Sequence, residues 1–190
     1  MSVLPRLAPG GLLFIEVPNC HANPVMMLVS DHCSHFSAAS LGNMVRNAGF
    51  ELCDVTAEWV PRELSLVAKA AESPAPGTPD PNPQALLDGI AWMQESYRRV
   101  EAIPGEFGIF GTSIAATCLE SQIGNKAAFF VDEDPARVGK SHLDKPIVAP
   151  ADIANGSTVF VALPHPLAGK IADRLNGLGK DLKVEVPPER

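Results

Sequence analysis

The chain has 190 residues, enough for one domain or two small ones, and 46% of them are apolar, enough for a packed core. Its net charge of −7 divides as −3 over residues 1–72, −2 over 73–104 and −2 over 105–190. No segment is basic, which argues against nucleic acid or an anionic membrane as the main partner. There is no N-terminal signal pattern, and the apolar runs are too short to span a bilayer, so a cytoplasmic protein is expected. Cys20, Cys33, Cys53 and Cys118 form no CxxC pair and are expected to be reduced, mostly buried thiols.

In chain order, Leu12 to Val17 is an apolar run broken only by Glu16 and bounded by Gly10-Gly11 and Pro18. It reads as a buried parallel strand. Ser37 to Ala48 reads as a helix: Ser37 is the N-cap, Leu41, Met44, Val45 and Ala48 share one face, and Gly49 is the stop. Glu51–Glu58 and Leu64–Ala70 read as an antiparallel strand pair. Residues 73–83 hold five prolines in eleven positions and read as an extended spacer. Residues 84–102 read as an amphipathic helix with Leu86, Ile90, Met93, Tyr97 and Val100 on one stripe. Its expected role is packing between the flanking domains, with a partner-binding helix as the other reading.

Residues 105–190 alternate strand and helix. The strands are Phe107–Phe110, Ala127–Val131, Pro146–Val148, Thr158–Leu163 and Leu182–Val186, with helices over Ser113–Ile123 and Leu167–Leu178. This order predicts a small, mostly parallel sheet flanked by helices. The tail Pro187-Pro188-Glu189-Arg190 is expected to be loose. His142 and His165 read as surface loop residues beside prolines.

The order of motifs in the first segment carries a resemblance. Leu7-Ala8-Pro9-Gly10-Gly11-Leu12-Leu13-Phe14-Ile15-Glu16-Val17-Pro18-Asn19 is followed by His32-x-x-His35-Phe36-Ser37-x-x-Ser40-Leu41 and then Ala48-Gly49-Phe50-Glu51. Over residues 5–70 this resembles the back half of a class I S-adenosylmethionine-dependent methyltransferase: the fifth strand, the following helix and the last two strands. The front half of that family grips the cofactor with a glycine-rich turn and an acidic residue, and nothing before Leu7 supplies either. Asp31-His32-Cys33-Ser34-His35-Phe36-Ser37 resembles a segment of sugar C-methyltransferases in which a histidine is implicated in acid-base chemistry. The resemblance makes His32 the candidate base, Asp31 its orienting partner and His35 the second choice. Carbon alkylation needs a proton removed beside a carbonyl, and imidazole titrates near neutral pH. The competing reading is that these residues anchor the helix start. A zinc reading of Cys20, His21, His32, Cys33 and His35 lacks a standard finger spacing, so no metal is expected. Pro61-Arg62-Glu63-Leu64 stands where that family tends to have a His-Gly-Gly-Ser-like segment.

Phe107-Gly108-Ile109-Phe110-Gly111-Thr112-Ser113 is a strand, a tight turn and a helix start, a relaxed form of the dinucleotide fingerprint. Gly111 takes the place of the first glycine, Ser113 of the second and Ala116 of the third. Asp132, 21 residues after Gly111, stands where a carboxylate could accept ribose hydroxyls. Gly108, Gly111, Thr112, Ser113 and Asp132 are therefore the candidate substrate-binding residues. The alternative is that Gly108 and Gly111 only permit close helix–strand packing. The run Val131-Asp132-Glu133-Asp134-Pro135-Ala136-Arg137-Val138-Gly139, then Lys145-Pro146-Ile147-Val148-Ala149-Pro150, resembles the C-terminal domain of the same C-methyltransferase family.

The expected fold is α/β: a partial class I methyltransferase sheet over 1–72, a Pro-rich linker and helix over 73–104, and a small Rossmann-like parallel-sheet domain over 105–190. The resemblance implies S-adenosylmethionine as cofactor and C-methylation of a nucleotide-linked sugar, with a truncated chain that is inactive alone. A non-enzymatic nucleotide or nucleotide-sugar binding module is the alternative, and a fragment of an NAD-dependent oxidoreductase a weaker third. The strand Leu12–Val17 would lack its fourth-strand neighbour. A homodimer or a partner subunit is therefore expected at that edge.

Overall fold

The computed structural model describes residues 6–73, 77 and 83–189. Most of the spacer 73–83 lies outside the described residues. Contacts divide the chain into two compact units, Met1–Gly89 and Ile90–Arg190, and each is described by itself.

The first unit is a three-stranded sheet with one helix on it. Its elements are β1 (Leu12–Pro18), a 3-10 turn (Pro24–Leu28), α1 (Ala38–Asn47), β2 (Phe50–Thr56) and β3 (Glu63–Ala70). α1 starts where the sequence says it should. The Ser37 hydroxyl accepts the Ser40 N–H at 3.1 Å, and the Ser40 hydroxyl accepts the Ser37 N–H at 2.9 Å. This reciprocal cap satisfies two donors that a helix start leaves open. Gly49, at φ +90°, ends the helix. Leu41 and Val45 of α1 pack on Phe50, Leu64, Leu66 and Ala68.

The sheet order is β1-β3-β2, with β3 antiparallel to both neighbours. The expected buried parallel strand is therefore corrected. β1 is antiparallel to β3, and its burial alternates: Leu12 and Phe14 are 62% and 56% exposed, whereas Leu13, Ile15 and Val17 pack toward α1. An antiparallel sheet can leave one face wet, and a continuous apolar run does not reveal which.

The helix α2 (Gln84–Glu101) carries the boundary between the units. Its buried positions are Gly89, Trp92, Met93, Ser96 and Val100, while Leu86 and Ile90 are exposed, so the expected stripe is rotated. The indole of Trp92 sets the face: it is buried and its Nε1–H donates to the Pro188 carbonyl at 2.8 Å. That contact also corrects the expected loose tail. Pro187 is buried, and its carbonyl lies 3.1 Å from His165 Nε2.

The second unit contains β4 (Phe107–Phe110), α3 (Ile114–Gln122), β5 (Phe129–Val131), β6 (Ser141–His142), β7 (Lys145–Val148), β8 (Thr158–Val161), α4 (Leu167–Asn176) and β9 (Lys183–Glu185). Its sheet order is β6-β7-β5-β4-β8-β9. All neighbours are parallel except β6 and β7. The two-residue strand β6 was not expected. Phe107, Ile109, Phe130 and Phe160 pack with Ala116 and Leu119 of α3 and with Ile123, which caps its end. Phe110, Val159 and Val161 belong to a second cluster with Ala168, Ile171 and Leu175 of α4. A mixed α/β chain with a mostly parallel second sheet is what the periodicity predicted. No helix among the described residues is long and apolar enough to cross a membrane.

The thiols depart from expectation. Cys33 and Cys53 are exposed, and Cys20 and Cys118 are half-buried.

Candidate functional site

The chain leaves β4, passes through α3 to β5 on one side, and later returns as β8 on the other side of β4. Connections thus depart in opposite directions from the carboxyl ends of β4 and β8. In open parallel sheets that is where ligands bind. The β4 end carries Gly111-Thr112-Ser113, and the β8 end carries Leu163-Pro164-His165-Pro166.

Gly111 has φ +94°, and a Cβ placed on it would meet nothing within 4 Å. Its glycine character therefore answers backbone conformation and leaves open space in front of the turn. Ser113 is the N-cap of α3, but its side chain does not cap the helix. Its Oγ is buried and has no hydrogen-bond partner among the described residues.

Gly108 behaves differently. It sits in register with Phe129 on β5, and a Cβ there would fall 2.3 Å from the Phe129 ring. Gly108 is thus a packing residue under an aromatic ring.

Asp132 follows β5 directly and is tightly held. Oδ1 accepts the Asp134 N–H at 3.0 Å. Oδ2 accepts the Thr112 hydroxyl at 2.7 Å and Arg137 Nη1 at 3.2 Å. Arg137 also donates to Thr112 Oγ1 at 2.8 Å. A carboxylate offers about four acceptor positions, so one place remains for a ligand hydroxyl unless Thr112 moves. Burial works against the Asp132 charge. The hydrogen bonds from Asp134, Thr112 and Arg137, with the guanidinium charge, outweigh it and hold the pKa below the usual aspartate value.

A lowered folded-state pKa means that the ionised form is favoured by folding. The stabilisation is present above the unfolded value, about 3.9, and is lost as pH falls through the lower folded value. Asp132→Asn is therefore expected to flatten the acid limb of thermal unfolding below about pH 4. Melting temperatures of both proteins between pH 6 and 2 check this, and parallel acid limbs would refute it.

Sequence reasoning placed His142 on a surface loop. In the structure it forms part of β6, its ring edge-on to Phe130 with centroids 4.8 Å apart. Its Nε2 lies 2.9 Å from Thr117 Oγ1. The Thr117 hydroxyl already donates to the Ser113 carbonyl at 3.1 Å, so His142 Nε2 is the donor. His165 stands in the loop after β8. A carbonyl only accepts, so the Pro187 contact puts a proton on its Nε2.

In the first unit, His32 and His35 share a pocket of about 110 Å³ with Val17, Pro18, Cys20, Met26, Ser34 and Phe36. The structure thus brings the two candidate histidines to one cavity at the carboxyl end of β1. Asp31 is exposed, and no hydrogen bond joins it to His32 among the described residues. Among those residues no group of three metal-binding side chains is close enough to hold an ion. The pocket is also smaller than the roughly 300–1,000 Å³ typical of small-molecule sites. The described residues around it do not fit S-adenosylmethionine.

Compared with known protein families and with curated proteins, the chain matches none.

Proposed function

We propose that the chain is the substrate-side portion of a sugar C-methyltransferase, with the second unit binding the nucleotide part of a nucleotide-linked sugar. The observation that carries this reading is the reversal of strand order at the carboxyl ends of β4 and β8. An open Gly111 turn there feeds the N-terminus of α3, where free backbone N–H groups favour a diphosphate. Asp132, with one acceptor place left, suits a ribose hydroxyl, and Thr112 is its built-in stand-in. Support from the first unit is the order strand, helix, antiparallel pair, with β3 inserted between β1 and β2 as in the closing strands of class I methyltransferases. His32 and His35, sharing a pocket at the end of β1, are the groups that could accept a substrate proton.

Because the described residues do not fit the cofactor, no methyl-transfer step is assigned to this chain alone. The unpaired Asp31 and His32 favour a second reading, a nucleotide-sugar binding module without acid-base chemistry. Calorimetric titration with dTDP-glucose and with S-adenosylhomocysteine separates the two. Binding of dTDP-glucose, weakened by Gly111→Val, supports the nucleotide site. Binding of S-adenosylhomocysteine as well supports the methyltransferase reading. Failure of dTDP-glucose and UDP-glucose to bind sinks both.

A further inference from the structure

β1 is an outer strand, and its parity tells which backbone groups face outward. The register Pro18↔Glu63 continues to Asn19, whose N–H donates to the Arg62 carbonyl at 2.9 Å on the β3 side. Cys20 points the other way and donates to the Phe36 carbonyl at 3.3 Å. Odd residues of β1 therefore bond β3, and Leu12, Phe14 and Glu16 turn their N–H and C=O groups to the other edge, which no strand among the described residues pairs. The Asn19–Phe36 bridge closes that edge beyond Pro18, and Gly10 at φ +74° turns the chain at the other end. The open stretch is residues 11–17, with Phe14 at its centre.

We propose that this edge is a self-association surface: a second copy of the chain adds its β1 antiparallel across a two-fold axis through Phe14. The occupant follows from the symmetry of the strand. Pairing about Phe14 sets Phe14 against the partner's Phe14 and Leu12 against the partner's Glu16, each a hydrogen-bonded pair. Together they supply about six main-chain hydrogen bonds. No like charges meet, because the two Glu16 side chains lie at opposite ends of the ribbon. Each Glu16 comes onto the sheet face that carries the other copy's Lys69, the register partner of Leu12. Leu12 and Phe14, the most exposed apolar side chains of the sheet, become cross-strand contacts, an aromatic pair at the centre. Of the devices that keep edges single, the strand carries one charge, Glu16, and a proline at its end, Pro18; it has no lysine, no interior proline and no bulge, the sheet's bulge lying in β2. The surface is isologous, so it closes at two copies and yields one continuous six-stranded sheet. It does not depend on the nucleotide reading.

Sedimentation velocity of the full chain over a hundredfold concentration range tests this. The expected result is a monomer–dimer equilibrium whose dissociation constant rises at least tenfold in Phe14→Lys, which opposes two ammonium groups across the axis. Amide exchange adds a fingerprint: protection of Leu12, Phe14 and Glu16 rises with concentration, while Leu13 and Ile15 stay protected throughout. In a Cys33→Ser/Cys53→Ser background, Phe14→Cys should form a symmetric disulfide under mild oxidation, since a hydrogen-bonded pair sets Cα atoms about 5.5 Å apart. Glu16→Cys should not. A monomer at every concentration, a dimer indifferent to Phe14→Lys, or cross-linking by Glu16→Cys in place of Phe14→Cys overturns the proposal.

Discussion

Lys145→Met is expected to lower the unfolding free energy of the second unit by about 3–5 kcal/mol, the penalty for leaving a buried charge without its partner. Glu120, in α3, has no exposed surface, and the Lys145 side chain on β7 is 17% exposed. Lys145 Nζ lies 2.5 Å from Glu120 Oε1, donates to the Asn125 carbonyl at 2.6 Å, and also donates to the Ala127 carbonyl. Both Glu120 oxygens accept the Ala127 N–H at 3.2 Å. One ammonium thus satisfies a buried carboxylate and two carbonyls of the loop that joins α3 to β5. Removing it takes the ammonium from all three and leaves the buried carboxylate with only the Ala127 N–H among the described residues.

The companion variant Glu120→Gln/Lys145→Met keeps an acceptor for the Ala127 N–H and removes the charge. It should recover part of the loss, because a buried pair is worth less than the penalty of breaking it. Urea unfolding in a Trp59→Phe background leaves Trp92 as the reporter of the second unit. A loss below about 1 kcal/mol in Lys145→Met would show that water reaches the carboxylate and that the pair behaves like a surface one.

Neither member of this pair was legible as such in the sequence, for a reason of topology. Glu120 reads as one more polar residue on a helix, and only the parallel pairing of β5 with β7 brings Lys145 over it. The same holds for Asp132. Its position after a strand was readable from spacing. The occupation of its carboxylate by Thr112 and Arg137 was not, since those residues come from the end of β4 and the loop after β5. What the sequence did show were local signals. The Ser37 cap, the Gly49 stop and the Gly111 turn all depend on neighbours within four or five residues. β1 sits between these cases. Its apolar run marked a strand, but the orientation of β3 decided which residues would be wet. His142 was misread because a two-residue strand has no periodicity to detect.

Gly108→Ala is expected to destabilise the second unit by about 1–3 kcal/mol, as an extra methyl in a packed interior does. A Cβ at position 108 would lie 2.3, 2.5 and 2.7 Å from Cε2, Cζ and Cδ2 of Phe129, so the ring must swing off the strand it covers. Phe129 packs against the cluster around Phe110, Val159 and Val161, and displacing its ring disturbs that side of the sheet. An aromatic side chain laid over a glycine on the neighbouring strand compensates for the glycine's missing side chain. The cost therefore belongs to the pair. In a Phe129→Leu background, Gly108→Ala should cost less by at least about 1 kcal/mol, a coupling that a double-mutant cycle resolves.

Gly111→Ala gives the contrast. Nothing lies within 4 Å of its Cβ position, so its cost comes from φ +94° alone, about 1–2 kcal/mol for a residue with a side chain. Its added methyl also enters the space in front of the turn. For dTDP-glucose binding, Gly111→Ala should weaken affinity while Gly108→Ala leaves the folded fraction binding as before. Equal costs for Gly108→Ala with and without the Phe129 ring would refute the packing role. Selective loss of ligand affinity in Gly108→Ala would place that glycine in the binding site.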